Sequence, residues 1–171
     1  MDIIIRKAKP QDLDAVEELY GAVCDYLADK PFNPGWRRDA FPSREEAKQY
    51  LAADGLYIAW AGGEPAGSVA LTASPSAEEN RPGEDGAFYL HVVAVHPACL
   101  RKGVASAMLD FAAREAARRG AEVLRIYVWE GNAPAIRTYE KGGFARIGKE
   151  DIGLGEFGLE WFYLYEKRLE R

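Results

Sequence analysis

The 171-residue sequence has few of the residues that disulfide scaffolds and zinc sites require. Cys24 and Cys99 are the only cysteines, and the chain contains two histidines. So few thiol and imidazole groups, far apart in sequence, make neither a disulfide framework nor a Cys/His zinc cluster. We therefore expect two free thiols, no metal site and a fold that depends on its hydrophobic core.

Long hydrophobic runs and an excess of positive charge are also missing. No stretch approaches the roughly 18 apolar residues of a membrane span, and the N-terminal apolar run at residues 3–5 is too short for a signal peptide. The chain carries 22 basic and 27 acidic residues, a formal net charge of -5. This balance argues against nucleic-acid and anionic membrane partners, because positive charge drives both interactions. The sequence predicts a soluble, cytoplasmic protein.

The length and the order of the hydrophobic patterns predict one α/β domain over residues 1–171. An N-terminal strand rich in branched side chains is followed by two helical patterns. The second helical pattern begins with a capping box formed by Ser43 and Glu46. A hairpin with a glycine turn at residues 62–63 comes next. From residue 87 the patterns read strand, helix, strand, helix and two further strands. We predict a mixed sheet of about six or seven strands flanked by about four helices.

Two connecting segments have unusual compositions. Residues 73–86 are almost entirely Ser, Pro, Glu, Asn, Asp and Gly, and this loop is long for a compact domain. Such a loop is either mobile or functional, and a lid over the substrate is one function open to it. Residues 30–36 are turn-rich and aromatic, unlike an ordinary solvated linker. Their rings cover either the core or a substrate.

A helical pattern begins shortly after the apolar strand at residues 90–95, with the sequence Leu-Arg-Lys-Gly-Val-Ala-Ser at residues 100–106. The N-terminus of a helix presents unpaired N–H groups, and small residues let a pyrophosphate approach them. Arg101 and Lys102 add positive charge. The pattern predicts an anion site, although small residues also serve helix packing on a sheet. Neither a nucleotide P-loop nor a dinucleotide-binding glycine motif is present.

The segment from Leu90 to Gly148 resembles the GNAT superfamily of acetyl-CoA-dependent N-acetyltransferases. In that family a strand ending in Val-x-Pro leads into Gln/Arg-x-x-Gly-x-Gly/Ala, and residues 100–105 occupy that place with Leu100 at the first position. An Asn after the fifth strand, a Tyr seven residues later and a following Gly-Phe appear as Asn132, Tyr139 and residues 143–144.

The resemblance implies a GNAT fold in which the fourth and fifth strands splay to admit acetyl-CoA, with no metal. Backbone groups of the fourth strand would contact the pantetheine arm and the acetyl carbonyl, and amides at the helix start would hold the pyrophosphate. Asn132 would bind the pantetheine region, and Tyr139 would lie near the thioester sulfur. The expected cofactor contacts are Val93, Ala94, Val95, Arg101, Lys102, Gly103, Val104, Ala105, Ser106, Asn132 and Tyr139.

Acetyl transfer to an amine requires an oxyanion donor, a base and an acid for the leaving thiolate. The hydroxyl of Tyr139 suits the acid. The family often uses a strand glutamate as base, and this strand has none. Alternation predicts Tyr89, His91, Val93 and Val95 on one face, so His91 becomes the candidate base. A satisfied core histidine is the alternative for this residue, and Glu84 and Asp85 are weaker candidates for the base.

The amine acceptor is expected to lie against aromatic residues. Tyr26, Trp36 and Tyr89 are the candidate acceptor contacts, and Asp25 or Asp39 would supply charge for a cationic amine. Phe32 and Phe41 are further candidates. An aromatic cluster that serves only packing is the alternative.

We therefore predict an N-acetyltransferase that moves the acetyl group of acetyl-CoA to a primary amine of a small molecule or peptide, by direct attack in a ternary complex. Two alternatives stay open. A non-catalytic acyl-CoA-binding regulatory module is favoured by Leu100 and by the missing strand glutamate. A toxin that acetylates aminoacyl-tRNA is disfavoured by the net charge. The resemblance also allows a homodimer.

Overall fold

The computed structural model describes residues 2–75 and 85–170. Within these residues, seven strands form one mixed sheet in the order β1-β2-β3-β4-β5-β7-β6, and four α-helices flank it. This is the α/β architecture that the hydrophobic patterns predicted. The strands are β1 Ile3–Lys7, β2 Leu56–Ala61, β3 Glu64–Thr72, β4 Ala87–Val95, β5 Val123–Trp129, β6 Ala145–Glu150 and β7 Phe162–Arg168. The helices are α1 Leu13–Leu27, α2 Arg44–Ala52, α3 Val104–Arg118 and α4 Ala133–Lys141.

Side-chain caps start two of the helices where the sequence placed them. The Ser43 hydroxyl accepts a hydrogen bond from the Glu45 amide at 3.3 Å, and the Glu46 carboxylate accepts one from the Ser43 amide at 2.7 Å. This reciprocal arrangement is the predicted capping box of α2. Asn132 caps α4, because its side-chain oxygen accepts from the Ala135 amide at 3.4 Å.

The helices cover the sheet on both faces and create two cores. On one face α3 and α4 pack over β3, β4 and β5, where Met108, Leu109 and Leu124 are almost fully buried. On the other face α1 and α2 pack over β2, β3 and β4, with Leu19 and Ile58 at the centre. One sheet shared by two cores makes a single unit, since neither layer of helices has another apolar surface to bury.

The predicted splaying of β4 and β5 is present. These strands are parallel, but they pair only at Ala87 with Val123, Phe88 with Leu124 and Tyr89 with Arg125. Beyond Tyr89 and Arg125 the two strands continue without pairing to each other, which leaves a gap between β4 and β5. The backbone groups of each strand that face this gap are therefore free to bind a ligand.

A β-bulge in β4 overturns one prediction. Val92 has a φ of 46°, and Ala70 pairs with His91 while Ser68 pairs with Ala94, so two residues of β4 oppose one residue of β3. Val93 and Val95 consequently pack on the α3 side, whereas Val92 and Ala94 pack on the α1 and α2 side. The expectation that Tyr89, His91, Val93 and Val95 share one face is wrong, because the extra residue reverses the alternation.

Candidate active site

The connection between β4 and α3 forms an open cradle of backbone amides. Arg101 and Gly103 both have left-handed backbone conformations, with φ values of 62° and 86°. A Cβ atom added at Gly103 would meet no atom within 4 Å, so the glycine serves the turn and leaves the space above it free. The first amides of α3 have no intrahelical acceptor and no side-chain cap. This arrangement suits a pyrophosphate.

The charged side chains of this cradle are available to a ligand. Arg101 and Lys102 are exposed, and no ion pair joins either of them to a described residue. Leu100, which replaces the polar residue of the family motif, is 36% exposed. His96 stabilises the turn after β4, because its Nδ1 atom accepts a hydrogen bond from the Ala98 amide at 3.0 Å. The capacity of this cradle to bind an anion therefore rests on its backbone amides and on the charged side chains of Arg101 and Lys102.

Tyr139 lies on α4, the helix that follows β5, and its ring packs near Phe144 with 6.0 Å between ring centroids. The residue is 6% exposed, and no described residue hydrogen-bonds to its hydroxyl. Burial raises the pKa of Tyr139 above its ordinary value, so the hydroxyl is protonated at neutral pH. An unpartnered O–H group of this kind can donate a proton or a hydrogen bond to a ligand.

His91 lies on β4 with its ring turned toward β3. Its Nε2 atom is 2.7 Å from the Thr72 hydroxyl oxygen, and that hydroxyl lies 2.7 Å from the Ser74 carbonyl oxygen. The Tyr50 ring stacks on the imidazole with 5.5 Å between ring centroids. Because Thr72 donates to Ser74, His91 donates through Nε2–H.

The surroundings of His91 argue against its assignment as the catalytic base. Burial lowers the pKa of His91 to about 4, so the ring is neutral at pH 7 and a poor proton acceptor. Its polar edge also faces β3, on the side of β4 away from the gap. The assignment of His91 as base stays a prediction, and this geometry favours the alternative of a satisfied core histidine.

No ring contact or hydrogen bond joins any two of the three predicted acceptor contacts. The Lys30 ammonium lies over the Tyr26 ring at 4.6 Å, and Trp36 packs edge-on against Phe41 with 6.5 Å between centroids. Tyr89 stacks on Tyr127 at 6.3 Å with an interplanar angle of 7°. Their role in binding an acceptor stays a prediction.

The two aspartates that were predicted to supply charge for a cationic amine differ in their ion pairing. Asp25 forms two hydrogen bonds with the Arg38 guanidinium, at 3.0 and 2.7 Å, and is therefore engaged within the fold. Asp39 sits in a left-handed conformation at φ 64° and forms no ion pair with a described residue. Glu84 and most of the predicted lid, residues 76–84, lie outside the described residues.

A polar network on β5 escaped the sequence reasoning. Arg125 donates to the Tyr89 hydroxyl at 3.2 Å, to Asp85 at 3.1 Å and to Glu166 at 2.8 Å. Tyr127 follows two residues later on the same face of β5. Alternation along this strand would have placed both residues on the face opposite the buried Leu124, Ile126 and Val128. The strand pairing that brings Glu166 to Arg125 has no signal in a single sequence.

A model of the acetyltransferase (GNAT) family matches residues 21–144, well over half of the chain. The chain belongs to the GNAT acetyltransferase family. The match covers β4, the cradle, α3, β5 and α4, which are the elements that border the gap. The predicted family is thereby confirmed, and with it an acetyltransferase at the level of the family.

Two named acetyltransferases are similar to this chain over most of its length. The mycothiol acetyltransferase of Geodermatophilus obscurus is 27% identical over 120 residues, which cover 70% of this chain and 38% of that protein. This chain thus spans about two fifths of that relative. YwnH of Bacillus subtilis, provisionally named a phosphinothricin acetyltransferase, is 29% identical over 148 residues, which cover 84% of this chain and 85% of YwnH.

Solved structures of the family share the fold. The structure of yncA from Salmonella typhimurium, solved with its cofactor acetyl-CoA, gives a TM-score of 0.73 at 19% identity, covering 100% of this chain and 96% of yncA. At this identity the likeness confirms the fold. Among the described residues, no helix has the length and hydrophobicity to cross a membrane, and no group of three His, Cys, Asp or Glu side chains is placed to hold a metal.

Proposed function

We propose that this protein transfers the acetyl group of acetyl-CoA to a primary amine of a small molecule or peptide, by direct attack in a ternary complex in the cytoplasm. The observation that carries the proposal is the gap between β4 and β5, which opens beside the amide cradle at the start of α3. A gap in a sheet leaves strand backbone groups unpaired, and an elongated ligand can satisfy them.

The proposed acetyl-CoA contacts come from three elements. The amides of residues 102–106, with Arg101 and Lys102, bind the pyrophosphate. The backbone of β4 at Val93–Val95 binds the pantetheine arm and polarises the acetyl carbonyl. Asn132 binds the pantetheine region from the other side of the gap. The open space above Gly103 supports this fit, because a bulky neighbour there would block the phosphates.

The proposed chemistry needs no covalent enzyme intermediate. As the acceptor nitrogen bonds to the acetyl carbon, backbone N–H groups of β4 stabilise the negative oxygen. Tyr139 then donates its proton to the departing thiolate and recovers one from solvent. The raised pKa of Tyr139 keeps its hydroxyl protonated until that step.

The first test is titration calorimetry of acetyl-CoA with the wild type, Gly103→Glu and Gly63→Glu. Gly63 is the matched control: its φ of 82° is close to the 86° of Gly103, and a Cβ there also meets nothing within 4 Å. The two variants therefore introduce the same charge and similar backbone strain. We expect micromolar binding to the wild type and to Gly63→Glu, and at least about a 100-fold loss in Gly103→Glu, since a carboxylate would occupy the phosphate cradle.

Amine acceptors are then screened by release of free thiol. Turnover with a small-molecule or peptide amine supports the proposal. Binding of acetyl-CoA without turnover of any amine would favour the regulatory module, and absence of binding to the folded wild type would overturn the site assignment.

A further inference from the structure

Trp129, the last residue of β5, lies at the open end of the gap. The last pair between β4 and β5 joins Tyr89 to Arg125, and Trp129 follows Arg125 by four residues. The two strands are parallel, so the same distance along β4, with the extra residue of its bulge, ends at Ala94. Ala94 belongs to the segment of β4 to which we assign the acetyl carbonyl. Trp129 is therefore level with the proposed position of the reacting group.

The Trp129 side chain projects from the face of the sheet that α3 does not cover. Ile126 and Val128 belong to the core beneath α3, so alternation directs Trp129 to the other face. On that face, the core beneath α1 and α2 contains no residue of β5. An acceptor can therefore approach the gap beside Trp129 without disrupting either core.

Gly131 fixes the direction of the Trp129 indole. A Cβ atom added at Gly131 would overlap three atoms of the six-membered ring, so the ring lies directly against the Gly131 backbone. Gly131 belongs to the turn from β5 to α4 and precedes Asn132, which we assign to the pantetheine region. The indole thus extends along β5 past its carboxyl end, toward the open end of the gap, rather than across the sheet toward β7.

Trp129 also lacks the kind of partner that the other tryptophans have. The structure describes all four tryptophans, and three of them have an aromatic or cationic partner: Phe41 against Trp36, Arg6 over Trp60 and Lys149 over Trp161. No ring or cation of a described residue packs on Trp129, and its side chain is partly exposed. Its indole is therefore available to a ligand.

We propose that Trp129 is a specificity-determining residue of the acceptor site, and that its indole packs on a planar apolar group next to the attacking amine. The inference rests on the proposed acetyl transfer. Aromatic rings bury a large apolar area against each other and stack or meet edge-on. Arylalkylamines are the acceptor class with this chemistry, because a short chain lets the nitrogen reach the gap while the ring contacts Trp129. Gly131 is the positioning residue that directs the indole.

The test compares phenethylamine with ethylamine as acceptors of the wild type and of Trp129→Ala, by release of free thiol. We expect the wild type to prefer phenethylamine in kcat/KM by at least about 10-fold, as for burial of one ring. In Trp129→Ala this preference should fall below about twofold, while KM for acetyl-CoA stays within about twofold. A residue that only supports the fold would lower the activity with both amines alike.

Gly131→Ala tests the direction of the indole without removing it. The added methyl group takes the space of the ring, so we expect the preference for phenethylamine to fall as in Trp129→Ala. Gly155→Ala is the matched control, because neither glycine has a positive φ and a Cβ at Gly155 meets nothing within 4 Å. It should keep the wild-type preference. Thermal unfolding of every variant verifies the fold.

The double variant shows whether Gly131 acts through Trp129. If it does, Gly131→Ala causes no further loss in the Trp129→Ala background, and an additional loss there would overturn the positioning role. Putrescine separates apolar packing from attraction of a cation to the ring, and a preference for it over phenethylamine would overturn the apolar class. An unchanged preference in Trp129→Ala, or a wild type that acetylates other amines but not phenethylamine, would overturn the inference while the acetyl transfer stands. A wild type that binds acetyl-CoA but acetylates no amine would overturn both.

Discussion

Two of the four non-glycine residues with left-handed backbones in the described part of the chain lie along one border of the gap. Val92 and Arg101 adopt left-handed conformations at φ 46° and 62°, and for a β-branched valine this is a rare and unfavourable state. Such residues typically cost about 1–3 kcal/mol each and persist only where the surroundings impose them. Val92 creates the bulge of β4, and Arg101 belongs to the cradle. Each of the two segments to which we assign acetyl-CoA binding therefore contains one strained residue.

The hydroxyl of Tyr139 should matter for the reaction rather than for binding. We expect Tyr139→Phe to lower kcat by about 100-fold, because it removes the proposed acid, and to change the Kd for acetyl-CoA by less than about threefold. Tyr165→Phe is the control, since that tyrosine lies in the same core but donates to Glu140 at 2.8 Å. Free-thiol release and calorimetry measure the two quantities. An unchanged kcat in Tyr139→Phe would rule out the acid role.

His91 should make the stability of the protein depend on pH. Its pKa is about 4 in the folded state, where burial opposes the charge, against 6.5 as the ordinary value. Because the unfolded chain binds the proton more readily, the contribution is present above pH 6.5 and is lost as the pH falls toward 4. We expect the free energy of unfolding to drop by about 2 kcal/mol between pH 7.5 and pH 5 from this residue.

Urea unfolding at several pH values, with His91→Gln beside the wild type, isolates this contribution. Carboxylates such as Glu115, whose pKa its arginine partners lower to about 2, titrate alike in both proteins. The difference between the two proteins should therefore shrink toward acid pH. A constant difference would contradict the neutral, buried state of His91.

At the scale of elements, the hydrophobic patterns and turn residues sufficed for the order of strands and helices. The capping box placed the start of α2 at Arg44, and the resemblance placed the cradle before α3. The faces of β4 were mispredicted, because a period-two pattern cannot register the extra residue at Val92. The bulge depends on pairing with β3, a non-local interaction. Sequence reasoning thus located the elements of the site but misassigned which side chains share a face.

The capping box of α2 also supports the surroundings of His91, since α2 carries the Tyr50 ring that stacks on it. We expect Ser43→Ala to lower the free energy of unfolding by about 1 kcal/mol, as for loss of a helix cap. Glu46→Gln should cost less, because an amide oxygen can still accept from the Ser43 amide. Denaturant unfolding measures both variants, and equal losses would show that the carboxylate charge matters more than the reciprocal cap.

At the scale of the whole molecule, the polar network around Arg125 was beyond prediction because strands far apart in the sequence build it. Arg125 on β5 pairs with Glu166 on β7 only through the order β5-β7-β6, in which the last strand of the chain inserts between two earlier ones. Periodicity assigns a strand but not its neighbours. The cofactor contacts, which stay a prediction, could be assigned from the family resemblance because their residues are close in sequence, from Leu90 to Tyr139.

Charge over the whole chain distinguishes a small-molecule enzyme from one that acts on aminoacyl-tRNA. The net charge is -5, and binding to a polyanion requires a surface that displaces its counterions. We expect fluorescence anisotropy with labelled tRNA at low salt to detect no binding at micromolar protein, while acetyl-CoA binds in the same buffer. A Lys/Arg-rich nucleic-acid-binding protein serves as positive control. Binding that weakens steeply with added salt would instead favour the aminoacyl-tRNA alternative, with Arg101, Lys102 and the basic residues of α3 as the surface to substitute first.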